Sequence, residues 1–195
     1  MARTQAADYD KKRDAITVTA AKLFARHGFS SASMAEIAGR CDVSKSLIYH
    51  YYPSKEAILF DVMSTHIDAL LEAAAETSVE TAATPSDKLI ALSISLLRRY
   101  IGAANAQRVL LYELSSLPKA ERDEIIEKQR RLVGIVEEIL AEVQPALSGD
   151  RGLKRARAML YFSMLNWSHS WFNSRGAISR DELAIMIAET SLRSL

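Results

Sequence analysis

One cysteine in 195 residues, Cys41, leaves the chain without an internal disulfide and without a cysteine-built metal site. The expected role of Cys41 is that of a small buried hydrophobe. Histidine is almost as sparse. The four residues, His27, His50, His66 and His169, are scattered and show no metal-ligand spacing. The sequence contains no HExxH, no GxSxG and no glycine-rich phosphate loop, so it offers no catalytic constellation and implies no cofactor. No apolar run approaches the roughly 18 residues that a membrane-spanning helix needs. Residues 1–13 are polar and lack the apolar core of a secretory signal, so the expected location is cytoplasmic. Internal repeats and low-complexity tracts are absent as well.

What is present suits a folded chain. Hydrophobic residues make up 49% and charged residues 25%, far from the balance of a disordered protein. The net charge is only +1, yet residues 1–60 carry nine Lys and Arg against six Asp and Glu. This N-terminal bias is too weak to identify a nucleic-acid binder, because counterion release depends on local clusters of cations.

Apolar residues recur at helical spacing along almost the whole chain, and no segment sustains the alternation of a half-buried strand. The fold class is therefore read as all-α. A first helix is expected over about 11–26, with Ile16, Ala20, Leu23 and Phe24 on one face and Gly28 as its stop. Ser33 to Glu36 has the form of a capping box that opens a second helix with Met34, Ile37 and Ala38 turned inward. Val43 plugs the following turn. Ser44 then caps a short third helix, which Pro53 ends. Ser54 opens a fourth, carrying Ile58, Leu59, Val62, Ile67, Leu70 and Leu71.

The Thr- and Ala-rich stretch 78–86 reads as a loop. Later helices are expected at about 86–104, 106–117, 119–144, 152–173 and 179–195, punctuated by Asn105, Pro118, the stretch 145–152 and Ser174-Arg175-Gly176. This divides the chain into an N-terminal three-helix domain at 1–54 and a longer helical domain at 55–195.

Two short capped helices joined by a tight turn, with Ile37, Ala38, Val43 and Ile48 facing one another, form a helix-turn-helix. The wording of the stretch from Gly28 to Leu59, GFSSASMAEIAGRCDVSKSLIYHYYPSKEAIL, closely resembles the DNA-binding domain of the TetR family of bacterial regulators. Gly28, Phe29, Ser33, Ile37, Ala38, Val43, Ser44, Lys45, Tyr49, His50, Tyr52, Ser54 and Lys55 carry the match. The resemblance spans about 50 residues at the level of motif; beyond it the chain agrees in length and helix pattern. It implies a ligand-responsive repressor that binds double-stranded, pseudo-palindromic operator DNA as a homodimer and leaves it on binding a small-molecule effector.

Within that resemblance the expected DNA contacts are Ser33, Ser44, Lys45, Ser46, Tyr49, His50 and Lys55. Ser33 and Ser44 stand at helix N-termini, where hydroxyls and backbone N–H groups suit phosphate oxygens. Lys45, Ser46 and Tyr49 lie on the face of the third helix that would enter a major groove, flanked by His50 and Lys55. Four of the matching residues have a plainer alternative: Ser44 and Ser54 as simple caps, Tyr52 as core, and Lys55 as a surface charge. The chain departs from the family pattern at Asp42 and Ser46, where glycine is common, and at Leu47, where a small or hydroxylated residue is usual. Asp tolerates the left-handed conformation that the turn needs. The other two change the reading surface.

In the helix expected at 152–173, Leu160, Met164, Trp167 and Trp171 form one stripe and Tyr161, Leu165, Ser168 and Phe172 another. A helix apolar on most sides must be covered on most sides. The resemblance implies dimerisation through 152–195, and the expected interface includes Leu183 and Met186. The competing reading is a ligand pocket drawn from Tyr112, Met164, Trp167 and Trp171, with Glu113, Ser163, Asn166 and His169 as polar anchors. The segment LNWSHSWFNSRGAIS is similar to TetR-type regulators of lipid, steroid and aromatic-acid catabolism, which implies a coenzyme A thioester as effector. Arg98, Arg99, Arg108, Arg155, Arg157 and Arg175 are candidates for its phosphates. Two further classes stay open at this level: a non-specific architectural DNA-binding protein and a small helical enzyme.

Overall fold

A computed structural model of the chain describes residues 2–78, 84–173 and 175–193. Among the described residues there are nine α-helices and no strand. They are α1 (Ala2–His27), α2 (Met34–Arg40), α3 (Lys45–Tyr51), α4 (Lys55–Ser78), α5 (Pro85–Gly102), α6 (Ala104–Tyr112), α7 (Lys119–Val143), α8 (Arg151–Trp171) and α9 (Arg180–Leu192). Short 3₁₀ turns occupy Leu114–Ser116 and Pro145–Gly149. Of the loop expected at 78–86, residues 79–83 lie outside the described residues, as does Ser174, and Pro85 and Ser86 already belong to α5.

Packing divides the residues into two units: 1–67 with 103–126, and 68–102 with 127–195. In the first unit, α1 closes on α2 and α6. Ile16, Ala20, Leu23 and Phe24 recur at helical spacing and are all buried. Gly28 ends α1 at φ +80°, its N–H bonded back to the Phe24 carbonyl at 2.9 Å. Ser33 then accepts from the Glu36 N–H at 3.1 Å and opens α2. The second half of the expected capping box is absent: the Glu36 carboxylate turns to Arg40 on the next helical turn, at 3.5 Å.

Asp42 adopts φ +54° and lets the chain reverse between α2 and α3, as its tolerance of that conformation predicts. Ile48 is fully buried under α3, worth about 2 kcal/mol of apolar burial, and fixes which face of that helix stays outside. Tyr52 is core, at 4% exposure. Its hydroxyl donates to Asp61 and accepts from Arg13 Nε at 3.2 Å, and Arg13 also meets Asp61 at 2.6 Å. This triad joins α1 to the start of α4. Burial and the Asp61 bond hold the Tyr52 hydroxyl well above its ordinary pKa.

Three local expectations need correction. The first helix begins well before residue 11, at Ala2. Good helix formers there sustain the helix without the apolar period used to find it. The sixth helix stops at Tyr112 instead of 117, because Glu113 turns its carboxylate to the Ser116 hydroxyl and the Phe29 N–H, each at 3.2 Å. Cys41 is half-buried rather than buried, its sulfur 3.9 Å from the Ala15 carbonyl.

In the second unit, α5 packs most extensively on α9, and both meet α8. Tyr161, fully buried, shares a 2.9 Å hydrogen bond with Ser93. Desolvation raises its hydroxyl pKa and keeps it neutral. Arg157 reaches the last turn of α9 and donates to the Ser191 and Arg193 carbonyls at 2.7 Å. Those carbonyls would otherwise lack helical partners. Asp150 caps α8, and Ser179 with Glu182 forms a complete capping box on α9.

Candidate DNA-reading surface

The exposed face of α3 is seven residues long, about 10 Å at helical rise. Its position is set from below by Ile48 and from its start by Ser44, which accepts from the Leu47 N–H at 3.1 Å. On the outside lie Lys45, Ser46, Tyr49 and His50, all exposed. The Lys45 ammonium stands 5.9 Å from the Tyr49 ring centroid, and the Ser44 and Ser46 hydroxyls are 2.9 Å apart. One rigid turn therefore presents a cation, a phenol and two hydroxyls together. That donor-rich set matches base edges and phosphate oxygens.

Of the seven expected contacts, Ser44, Lys45, Ser46, Tyr49 and His50 are brought together by α3 and its cap. Ser33 is exposed at the start of α2, its oxygen already accepting as a cap. Lys55 is engaged differently. Its ammonium donates to the Phe29 and Ala32 carbonyls at 2.8 Å each and lies 4.2 Å from the Phe29 ring centroid. It fastens the loop between α1 and α2, which leaves one N–H for a phosphate.

Sequence reasoning missed the aromatic support of His50. Tyr9 of α1 lies 4.6 Å from Tyr51 between ring centroids, and both rings meet His50 edge-on, at 6.5 and 5.6 Å. Tyr9 belongs to the part of α1 with no apolar periodicity. The only available signal was an aromatic residue in an otherwise polar run.

In the second unit α8 exposes Leu153, Leu160, Trp167 and Trp171, the two tryptophans at 63% and 56%. With half-buried Met164 they recur at spacings of seven, four, three and four, the pattern of a helix seam. Tyr161, Leu165 and Ser168 take the opposite, buried face. On α9, Met186 is 52% exposed while Leu183 is buried in its own subunit, so Leu183 leaves the expected interface. Tyr112 belongs to the first unit, where it lines a cleft of about 220 Å³ with Phe24, Arg108 and Val109. Of the proposed anchors, Glu113 accepts from the Phe29 N–H and the Ser116 hydroxyl at the α6 end, the Ser163 hydroxyl donates to the Met159 carbonyl, and His169 Nδ1 faces the Asn166 carbonyl at 2.5 Å.

Comparison with known proteins decides the family. Residues 16–62 match the model for bacterial regulatory proteins of the tetR family, and residues 82–195 match the tetracyclin repressor-like C-terminal domain. The chain belongs to the TetR family. A TetR-family transcriptional regulator from Bordetella parapertussis shares 35% identity at a TM-score of 0.87, covering 92% of this chain and 93% of that one. The transcriptional repressor KstR2 of Mycolicibacterium smegmatis is 26% identical over 180 residues, covering 88% of this chain and 84% of that protein. AibR, solved with isovaleryl coenzyme A and operator DNA, superposes at a TM-score of 0.78 with 24% identity, over 92% and 97% of the two chains. The Bacillus subtilis regulator YuxN is 45% identical over 58 residues, and the match spans only 20% of its length. TetR-family regulators bind DNA through the helix-turn-helix, act as dimers and respond to ligands, and this chain has the fold of one. Among the described residues no helix is long and apolar enough to cross a membrane.

Proposed function

We propose that this chain is a homodimeric repressor that reads a pseudo-palindromic operator with α3 and is released by a small-molecule effector. The observation that carries the reading is the exposed set Lys45, Ser46, Tyr49 and His50 on a helix whose other face is anchored by Ile48. In this reading, residues 1–54 are the DNA-binding domain and 55–195 the ligand-binding and dimerisation domain. Ser33, Ser44 and the remaining Lys55 N–H contact phosphates. Two recognition helices about 34–36 Å apart would occupy successive major grooves on one face of the duplex.

The exposed α8 stripe, with Met186 of α9, is assigned to a second copy of the chain, so that 152–195 forms the dimer interface. Side chains as open as Trp167 and Trp171 fit coverage by another subunit better than the lining of a pocket within one. A coenzyme A thioester is the effector class proposed. It is supported by the resemblance of 165–179 to regulators of lipid and aromatic-acid catabolism, and by AibR, which carries isovaleryl coenzyme A. An effector lowers DNA affinity by its differential affinity for the two conformations.

The test is an electrophoretic shift on the DNA upstream of the protein's own gene, with scrambled competitor and with acyl thioesters, free acids and coenzyme A as titrants. A specific shift abolished by a thioester supports the reading. A shift equally sensitive to scrambled DNA would point to an architectural binder. Release by a free acid where its thioester does nothing would remove the thioester.

A further inference from the structure

Most basic side chains of the second unit are matched by carboxylates or carbonyls. Arg98 pairs with Asp181, Arg155 with Glu137 at 3.2 Å, Lys154 with Glu138 and Lys128 with Asp68 at 2.8 Å, and Arg157 is bonded to carbonyls at the end of α9. The first unit gathers cations differently. Along the last turns of α1, the end of α2 and the start of α6 runs a half-open groove of about 610 Å³. Lys22, Arg26, His27, Arg40 and Arg108 line it, with Thr19 and Asn105, and no carboxylate does.

Helix ends account for part of this gathering. Arg26 and His27 stand in the last turn of α1 and Arg40 in the last turn of α2, where cations complement the carbonyl end of the helix. Arg40 also reaches Glu36 at 3.5 Å. Neither reason covers Lys22, more than a turn before the end of α1, or Arg108, in the middle of α6. Like charges around one concavity repel unless an anion sits among them.

The adjoining cleft narrows the choice of anion. It shares Ala25, Arg26 and Arg108 with the groove and continues along Phe24, Val109 and Tyr112. The Tyr112 ring is 56% exposed, and the Arg108 guanidinium lies 5.9 Å from its centroid. An exposed ring beside an arginine is a stacking platform for a flat heterocycle. Glu113, the one carboxylate lining the cleft, retains acceptor capacity for an exocyclic amine beyond its bonds to Phe29 and Ser116.

We propose that the groove binds the phosphates of a phosphorylated nucleoside, with Lys22, Arg26 and Arg108 as the principal phosphate ligands and the base against Tyr112. The site lies within the first unit and does not depend on the thioester reading, although coenzyme A carries a group of this class. Phosphate can also come from the backbone of DNA. A concave site beside an aromatic cleft favours the small ligand, because a duplex phosphate brings no free base to stack.

The test uses the full chain and calorimetric titration with adenosine 3′,5′-bisphosphate, pyrophosphate and adenosine, alongside a non-operator duplex. The bisphosphate should bind saturably, pyrophosphate more weakly, and adenosine not at all. Arg26→Glu with Arg108→Glu should weaken the bisphosphate by roughly tenfold or more, and the milder Arg26→Gln with Arg108→Gln should do so to a lesser degree. Tyr112→Ala should weaken the bisphosphate and leave pyrophosphate unchanged. All of these side chains are exposed, so the thermal midpoint should hold in each variant. The proposal is overturned if no bisphosphate binding is seen at millimolar concentration, or if well-folded variants bind it as the parent does. It also fails if the charge reversal lowers only affinity for the duplex, which would give the groove to the DNA backbone. A shift assay with Tyr49→Ala reports on the α3 reading separately.

Discussion

Two exposed helix faces, that of α3 in the first unit and that of α8 in the second, are opposites in chemistry. The first shows Lys45, Ser46, Tyr49 and His50 on a seven-residue helix; the second shows Leu153, Leu160, Trp167 and Trp171 on a helix of 21 residues. A short polar face rigidly held suits a partner that offers hydrogen-bond acceptors and negative charge. A long apolar stripe suits a partner of its own kind, since exposed apolar surface is lowered in free energy by covering it. The difference teaches that the two faces should fail differently: charge ruins the second, and loss of charge or hydroxyls ruins the first.

The largest expected effect comes from charging the apolar stripe. Trp167→Glu with Met186→Glu, both at exposed positions, should leave the subunit folded and weaken the dimer by several kcal/mol, since each buried unpaired carboxylate is strongly unfavourable. Sedimentation velocity should show a monomer with unchanged helical content. A dimer of parental stability would place the interface elsewhere. Leu183→Glu is a poor substitute, because Leu183 is buried within its own subunit and its loss would unfold the unit.

A smaller effect sharpens the contrast within the reading head. Lys55→Met keeps the apolar stem of the side chain but strips two donors from the Phe29 and Ala32 carbonyls, and should cost about 1–3 kcal/mol of stability. Urea denaturation measures it. Should the loss appear only in operator affinity, Lys55 is a phosphate ligand and the loop is held by other contacts.

The smallest effect concerns pH. His66 Nε2 lies 2.6 Å from Gln107 Oε1, with both side chains buried, and desolvation lowers the pKa of His66 below its ordinary 6.5. The unfolded chain therefore takes up a proton first as pH falls. Stability should be full above about pH 7 and decline through and below 6.5, levelling once the folded-state pKa is passed. Thermal midpoints from pH 7.5 to 5 should fall less steeply in His66→Gln than in the parent. Parallel slopes would show that His66 is protonated with little penalty.

Most of the reading head was legible in the sequence, because local chemistry determines it. Ser33, Ser44, Ser54 and Gly28 announce helix ends through their own backbone and side-chain bonds, and the inward Ile37, Ala38 and Ile48 follow from helical period. Family resemblance supplied the expected DNA contacts, which periodicity alone could not. What the sequence hid depends on long-range partners. Nothing in the spacing of Lys55 shows that it caps carbonyls 23 and 26 residues away, nor that Tyr9 braces His50. The two stripes of α8 were separable by period, but which one faces solvent depends on α5 and α9. Similarly, the basic groove draws on three helices, and the arginine list gave no sign that Arg108 would stand apart from Arg98, Arg155 and Arg157.

The central claim is that the outer face of α3 reads a specific operator. Fluorescence anisotropy on the upstream operator and on a scrambled duplex, with the parent and with Lys45→Ala, Tyr49→Ala and their combination, tests it directly. Each single variant should lose roughly 1–3 kcal/mol on the operator, and the gap between operator and scrambled DNA should narrow while the thermal midpoint holds. A well-folded double variant that binds the operator as tightly as the parent would remove α3 from the interface and contradict the account.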